Sequence, residues 1–352
     1  MGKLTTRHLE FPAQLHVFPG AVSQSDYLNT QVVHKRVLLA IDDGVRPLAE
    51  QMLSHLTSHQ NCTLHIVELA NQQNVSMADI ICAKHQIEVV IAFGGGKVLD
   101  VCKRLATMRS LELVVIPTAL SSDCISSPVA VITDDSGLKQ SLPAAIPNYI
   151  IVDTSICINA PKRLTQAGVG DLLSNYSALL DMQYSEAQQP FDGFSFLLAK
   201  SAANEVLAMN DASLENVTFI GHLAEGLILS GLAMGFSGDS RPCSGAEHLI
   251  SHALDYLKLG TGLHGEQVAM ATRYCFFLRQ ALDLPTFEPQ VLTLMDNIGI
   301  HSTPQQLNIS QTEFFEALKI APTMRKGRIT FLETLDSIPV ETLKQAYQDA
   351  FN

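Results

Sequence analysis

Four short aliphatic, β-branched runs in the first half of the chain alternate with stretches of helical spacing, and this alternation limits the fold more than any other feature. The runs cover 36–41, 63–69, 88–92 and 111–116, with helical patterns over 45–56, 77–85 and 96–108. The runs are near-continuously apolar instead of alternating, as strands buried on both faces are, so the spacing predicts a parallel sheet covered by helices. Two more strand-like runs, 129–133 and 149–152, close this half. From about Pro161 the pattern is wholly helical, over 169–182, 194–209, 217–234, 246–259 and 266–284, with Pro/Gly breaks between several segments. The expectation is an α/β N-terminal domain with a Rossmann-like parallel sheet over residues 1–160, followed by an all-α domain over residues 161–352. A chain of 352 residues suits two domains better than one.

The formal charge of −12 opposes phosphate backbones and anionic lipid, so nucleic acid and membrane surfaces are poor partners. A phosphorylated small molecule would have to be held by local donors. The seven cysteines are scattered, odd in number and never spaced CxxC, which fits a reducing cytoplasm better than a disulfide framework. Residues 1–10 are polar, with no apolar signal core, and no run reaches the roughly 20 uninterrupted apolar residues of a membrane span.

Gly94-Gly95-Gly96-Lys97 follows a strand run and opens a helical one, with Asp100 three residues further on. Glycines there let backbone approach a pyrophosphate at a helix N-terminus, but a flexible turn gives the same sequence, and GxGxxG is not matched. Asp43, after the first strand, suits either a ribose hydroxyl or an ordinary loop. The hydroxyl-rich loop 117–123, with Thr118, Ser121 and Asp123, follows the fourth strand, where α/β sheets bind ligands; it also reads as a capping turn.

His248 and His252 are four apart and so share one helix face, His264 opens the next helical stretch, and Asp171 stands at an expected helix start. Two histidines and a carboxylate suit an open catalytic metal site. Taken singly, each fits a cap or a packed or solvated helix residue better than a ligand. Arg241, seven residues before His248, is either a phosphate contact or a surface partner of Asp239.

Together the segments GGGKVLDVCKR, PTALSSDCISSP, GVGDLLSN, SRPCSGAEHLISHALD and LHGEQVA resemble, in order and spacing, the glycerol dehydrogenase, dehydroquinate synthase and iron-containing alcohol dehydrogenase superfamily. Within it they are most similar to sn-glycerol-1-phosphate dehydrogenases, over about residues 35–275. The resemblance implies a dehydroquinate synthase-like fold with its active site between the two domains. It implies one divalent metal, zinc first and iron or nickel otherwise, on Asp171, His248 and His264. Asp123 and His252 would contact substrate, and Asp171 would be placed to do so too. Gly94, Gly95, Gly96, Lys97, Asp100, Thr118, Ser121 and Ser127 would line NAD(H) or NADP(H), with Asp43 at the ribose.

The implied reaction interconverts dihydroxyacetone phosphate and sn-glycerol 1-phosphate, a step of phospholipid metabolism, by hydride transfer at C2, with His252 or a water relaying the proton. The alternative is a glycerol dehydrogenase using free polyol. A dehydroquinate synthase-like cyclase is disfavoured because that pattern expects glutamate where Asp171 stands. A homo-oligomer is the expected assembly.

Overall fold

The computed structural model describes residues 11–352, so the polar segment 1–10 lies outside the described residues. Six strands form one parallel sheet: β1 (Gln14–Phe18), β2 (Val37–Ile41), β3 (Cys62–Ile66), β4 (Val89–Gly94), β5 (Glu112–Pro117) and, after a hairpin, β8 (Tyr149–Asp153). Their order is β1-β8-β5-β4-β2-β3. Every residue of β2 and β4 is buried, which is why these runs carry no polar alternation.

Helices α1 (Arg46–Met52), α2 (Ser54–Thr57), α3 (Gln72–His85), α4 (Gly96–Arg109) and α5 (Thr154–Cys157) accompany the sheet. The register sets Gly94 beside Pro117, so the turn after β4 and the loop after β5 leave the sheet at the same carboxyl edge.

The run 129–133 is a strand with the expected bounds, β6 (Val129–Thr133), and it pairs antiparallel with β7 (Lys139–Pro143) apart from the main sheet; the polar, proline-ended sequence of β7 hid that partner. The strand expected over 63–69 is β3, which ends at Ile66 instead of Leu69, a correction. Edge strand β1 carries only half-buried or exposed side chains and escaped the apolar pattern for that reason.

The second half is helical: α6 (Lys162–Leu173), α7 (Asn175–Tyr184), α8 (Gly193–Leu207), α9 (Val217–Ser237), α10 (Ala246–Leu257), α11 (His264–Ala281), α12 (Gln290–Ile298), α13 (Gln311–Ile320) and α14 (Val340–Phe351). The expected helix over 169–182 is two helices meeting at Ser174. Helix α9, at 21 residues, is long and apolar enough by length and composition to cross a bilayer, though His222 and Glu225 interrupt its apolar run, as expected of every segment. Most of it is buried against neighbouring helices. One apolar cluster runs without interruption from Leu38, Val90 and Ala92 of the sheet to Phe219, Leu223 and Leu227 of α9, so the two halves share a core.

Candidate active site

A cleft of about 910 Å³ lies between the carboxyl edge of the sheet and the helical half. The glycine turn forms one part of its wall. Gly95 precedes α4 with an extended backbone (φ −86°, ψ −174°) and no side-chain cap, and a Cβ added there meets nothing within 4 Å. Gly95 therefore has no need of unusual φ; what its missing side chain leaves is open space before the helix N-terminus. Gly94 is glycine because a Cβ would run into Val98. Gly96 and Lys97 line the cleft.

The Lys97 ammonium pairs with Asp42 and donates to the Glu68 carbonyl. Burial pushes the Asp42 carboxyl up, but Lys97 and the Gly44 N–H outweigh it and leave it below the usual range. Asp43 points elsewhere, exposed and paired with Arg46, and is not part of the wall. The acidic group beside the turn is Asp42.

The loop after β5 is pinned from beneath. Lys103, fully buried in α4, donates to the carbonyls of Cys124 (2.8 Å) and Val129 (2.6 Å) and to Ser127 Oγ (3.2 Å). Asp100, one turn earlier, is buried 3.8 Å from the same ammonium, and burial pushes its carboxyl up to about 6 against that charge. Ser121, Asp123 and Ser127 reach the cleft, whereas Thr118 is buried behind it, its N–H donating to Gly94.

The helices supply the facing wall. Asp171 is the third residue from the end of α6, not at a helix start, so it is no cap. Its Oδ1 lies 3.6 Å from Nε2 of both His248 and His264, and the three ligand atoms fall within 4.8 Å of one another. Close helix contact makes this possible. A Cβ on Gly265 would strike the Ala167 carbonyl, and one on Gly168 would strike that of Leu120.

The far nitrogens of both rings are held. His248 Nδ1 lies 2.9 Å from Oε1 of fully buried Glu247, which also accepts from the Gly245 N–H. His264 Nδ1 lies 3.3 Å from Ser251 Oγ, which donates to Gln267. These contacts turn both Nε2 atoms toward Asp171. Burial opposes charge on His248, but Asp171 and Glu247 outweigh it and hold the ring up at about 9. His252 faces the cleft one turn on; burial, then the neighbouring His248 and His264, push it well below its ordinary value. Asp123 donates its N–H to Asp171 Oδ2 (3.0 Å) and accepts from Ser230. Burial and then the Asp171 charge push its carboxyl up to about 7.

Two nitrogens and one carboxylate, converging with their outer atoms tethered, fit a divalent metal with room for a further ligand. The open space at Gly95 fits a dinucleotide pyrophosphate.

Arg241 does not reach the cleft. It pairs with Asp239 and donates to the Gln189 and Pro190 carbonyls. The arginine that does line the cleft is Arg325, from a C-terminal region that the sequence motifs do not cover. Lys103, Glu247 and Arg325 were all missed in the sequence. For Arg325 a signal existed, the cationic stretch Arg325-Lys326-Gly327-Arg328 in an acidic chain.

A family model described as iron-containing alcohol dehydrogenase matches residues 16–161. The glycerol-1-phosphate dehydrogenase [NAD(P)+] of Archaeoglobus fulgidus is 30% identical over 330 residues, covering 93% of this chain and 94% of the relative. That of Thermoplasma acidophilum is 30% identical over 336 residues, covering 94% of each. Among solved structures, the glycerol dehydrogenase of Schizosaccharomyces pombe shares the fold, with a TM-score of 0.77 at 20% identity, over 98% of this chain and 90% of that one. By its identity to these relatives over nearly its whole length, the chain belongs to the glycerol-1-phosphate dehydrogenase family.

Proposed function

We infer that the cleft interconverts dihydroxyacetone phosphate and sn-glycerol 1-phosphate with NAD(P) and one divalent metal, zinc by preference, held by Asp171, His248 and His264. The observation that carries this reading is the convergence of those three side chains on a cleft that Gly96 and Lys97 of the glycine turn also line. When bound, the metal supplies a Lewis acid and the nicotinamide a hydride donor or acceptor.

The chain's own residues do the rest. Gly95 and Gly96 leave room for the pyrophosphate, and Ser121 and Ser127 offer hydroxyls alongside it. Glu247 and Ser251 keep both ligating rings aimed inward. His252, kept neutral by burial and its neighbours, can take a proton from the substrate hydroxyl, or return it, at a ring nitrogen. Asp123, its carboxyl on the same wall, is the contact for a second substrate oxygen. The seven cysteines are all free thiols, in keeping with a reducing cytoplasm.

The test is a substrate panel on metal-reconstituted protein, following nicotinamide absorbance. Dihydroxyacetone phosphate should exceed dihydroxyacetone in kcat/KM by roughly 10- to 100-fold for one charge-assisted contact, more for several. Glyceraldehyde phosphate and a heptulosonate should be poor substrates. Equal use of the phosphorylated and free ketones would replace this reading with glycerol dehydrogenase.

A further inference from the structure

The acidic chain pairs most of its arginines. Arg36, Arg46, Arg109, Arg163, Arg241, Arg273 and Arg279 each lie against a carboxylate. Arg325 and Arg328 do not, among the described residues, although Arg328 is only 7% exposed and Arg325 is half-buried. Both converge on one hydroxyl: Arg325 Nη1 donates to Ser240 Oγ at 2.7 Å and Arg328 Nη2 to the same atom at 3.0 Å. Arg328 also donates to the Ser244 carbonyl.

Asp239, the acid beside this pair, is already engaged by Arg241. Two neighbouring guanidiniums withdrawn from water with no carboxylate in direct ion-pair contact are unfavourable. Burial, and then the charge of Arg325, pushes Arg328 down to about 10.

Their place in the cleft is specific. Arg325, Ser240 and Ser244 line the same wall as His248 and His252. Nε and Nη2 of Arg325 donate to no protein acceptor among the described residues. The other cations on the wall are occupied, Lys97 by Asp42 and Lys139 by Asp255. A guanidinium fork with unused donors matches a phosphate better than an ammonium does.

We propose that Arg325 is the residue that recognises the substrate's phosphate, and that Arg328, through Ser240, is the positioning residue that sets it. This rests on the phosphorylated substrate inferred above. It also gives Arg241 a different part, that of neutralising Asp239 so that Arg325 stays unpaired for the ligand.

Arg325→Gln should lower the kcat/KM ratio of dihydroxyacetone phosphate over dihydroxyacetone by roughly 10- to 100-fold, mainly through KM of the phosphate ester. Inorganic phosphate should compete with dihydroxyacetone phosphate in the wild type and lose most of that inhibition in the variant. Metal content and thermal melting establish that the variant is intact. Should Arg325→Gln fail to fold, Arg325→Lys decides, since it keeps charge but loses the fork, and its ratio should fall several-fold. An undiminished ratio in the folded variant overturns the assignment and leaves the proposed function standing. No preference for phosphate in the wild type removes both.

Discussion

The two walls of the cleft are built from different material. The sheet-side wall, where Gly96 and Lys97 of the glycine turn line the cleft, offers backbone and, next to it at Gly95, open space where a side chain is missing. The helix-side wall works through side chains that start far apart, Asp171 on α6, His248 on α10 and His264 on α11. The first depends on one local turn at a strand end. The second depends on helices docking so closely that Gly170 of α6 and Gly265 of α11 have no room for a Cβ. A backbone wall is broken by adding atoms, and a side-chain wall by removing them.

That contrast gives a graded set of expectations. Removing one ligand atom, in Asp171→Asn, His248→Ala or His264→Ala, should cost the most, with activity down more than about 100-fold, beyond the range for loss of an outer contact. Metal content by elemental analysis should fall with it. A variant that retains full metal was not a ligand, and the helix-side wall would need redrawing.

Adding atoms comes next. Gly95→Val should weaken NAD(P)H binding by roughly 10- to 100-fold, the equivalent of the usual cost of overfilling a site. Since a Cβ there meets no protein atom, the melting temperature should hardly move. Unchanged nucleotide affinity would mean that the turn is only a turn, and the contrast between the walls would collapse.

The smallest effect sharpens the helix side. Glu247→Gln keeps the shape beside His248 Nδ1 but removes charge, and should lower metal affinity by about 10-fold, the low end for such partners. Competition with a chelator measures it. An effect as large as that of His248→Ala would place Glu247 among the essential groups instead of behind one.

The same contrast explains what was legible in the sequence. Strands β2, β4 and β5 announce themselves because burial on both faces makes them apolar throughout. Strands β1 and β7 are exposed on edges or in a hairpin, where no apolar pattern is demanded. The glycine turn was visible because it is contiguous. The spacing of His248 and His252 showed a shared face, but nothing local could show that Asp171 meets His248 and His264, and its position was misjudged as a helix start. Lys103 carries no local signal of its role, and the cationic stretch around Arg325 marks a charge without showing where it acts, since each residue reaches groups many residues away. Arg241 drew attention by closeness in sequence to His248, yet Asp239, two residues away, holds it.

The hairpin of β6 and β7 bears on how the cleft opens. Its Lys139 Nζ reaches across to both carboxylate oxygens of Asp255 on α10, at 3.0 and 2.9 Å, and both residues line the cleft. With Lys139 half-exposed, such a pair contributes about 0.2–1 kcal/mol and is screened by salt. That is a bias of only about 1.4- to 5-fold toward the closed rim. The link between the hairpin and α10 is thus a light one, whereas the sheet and α9 behind it are joined through one shared core.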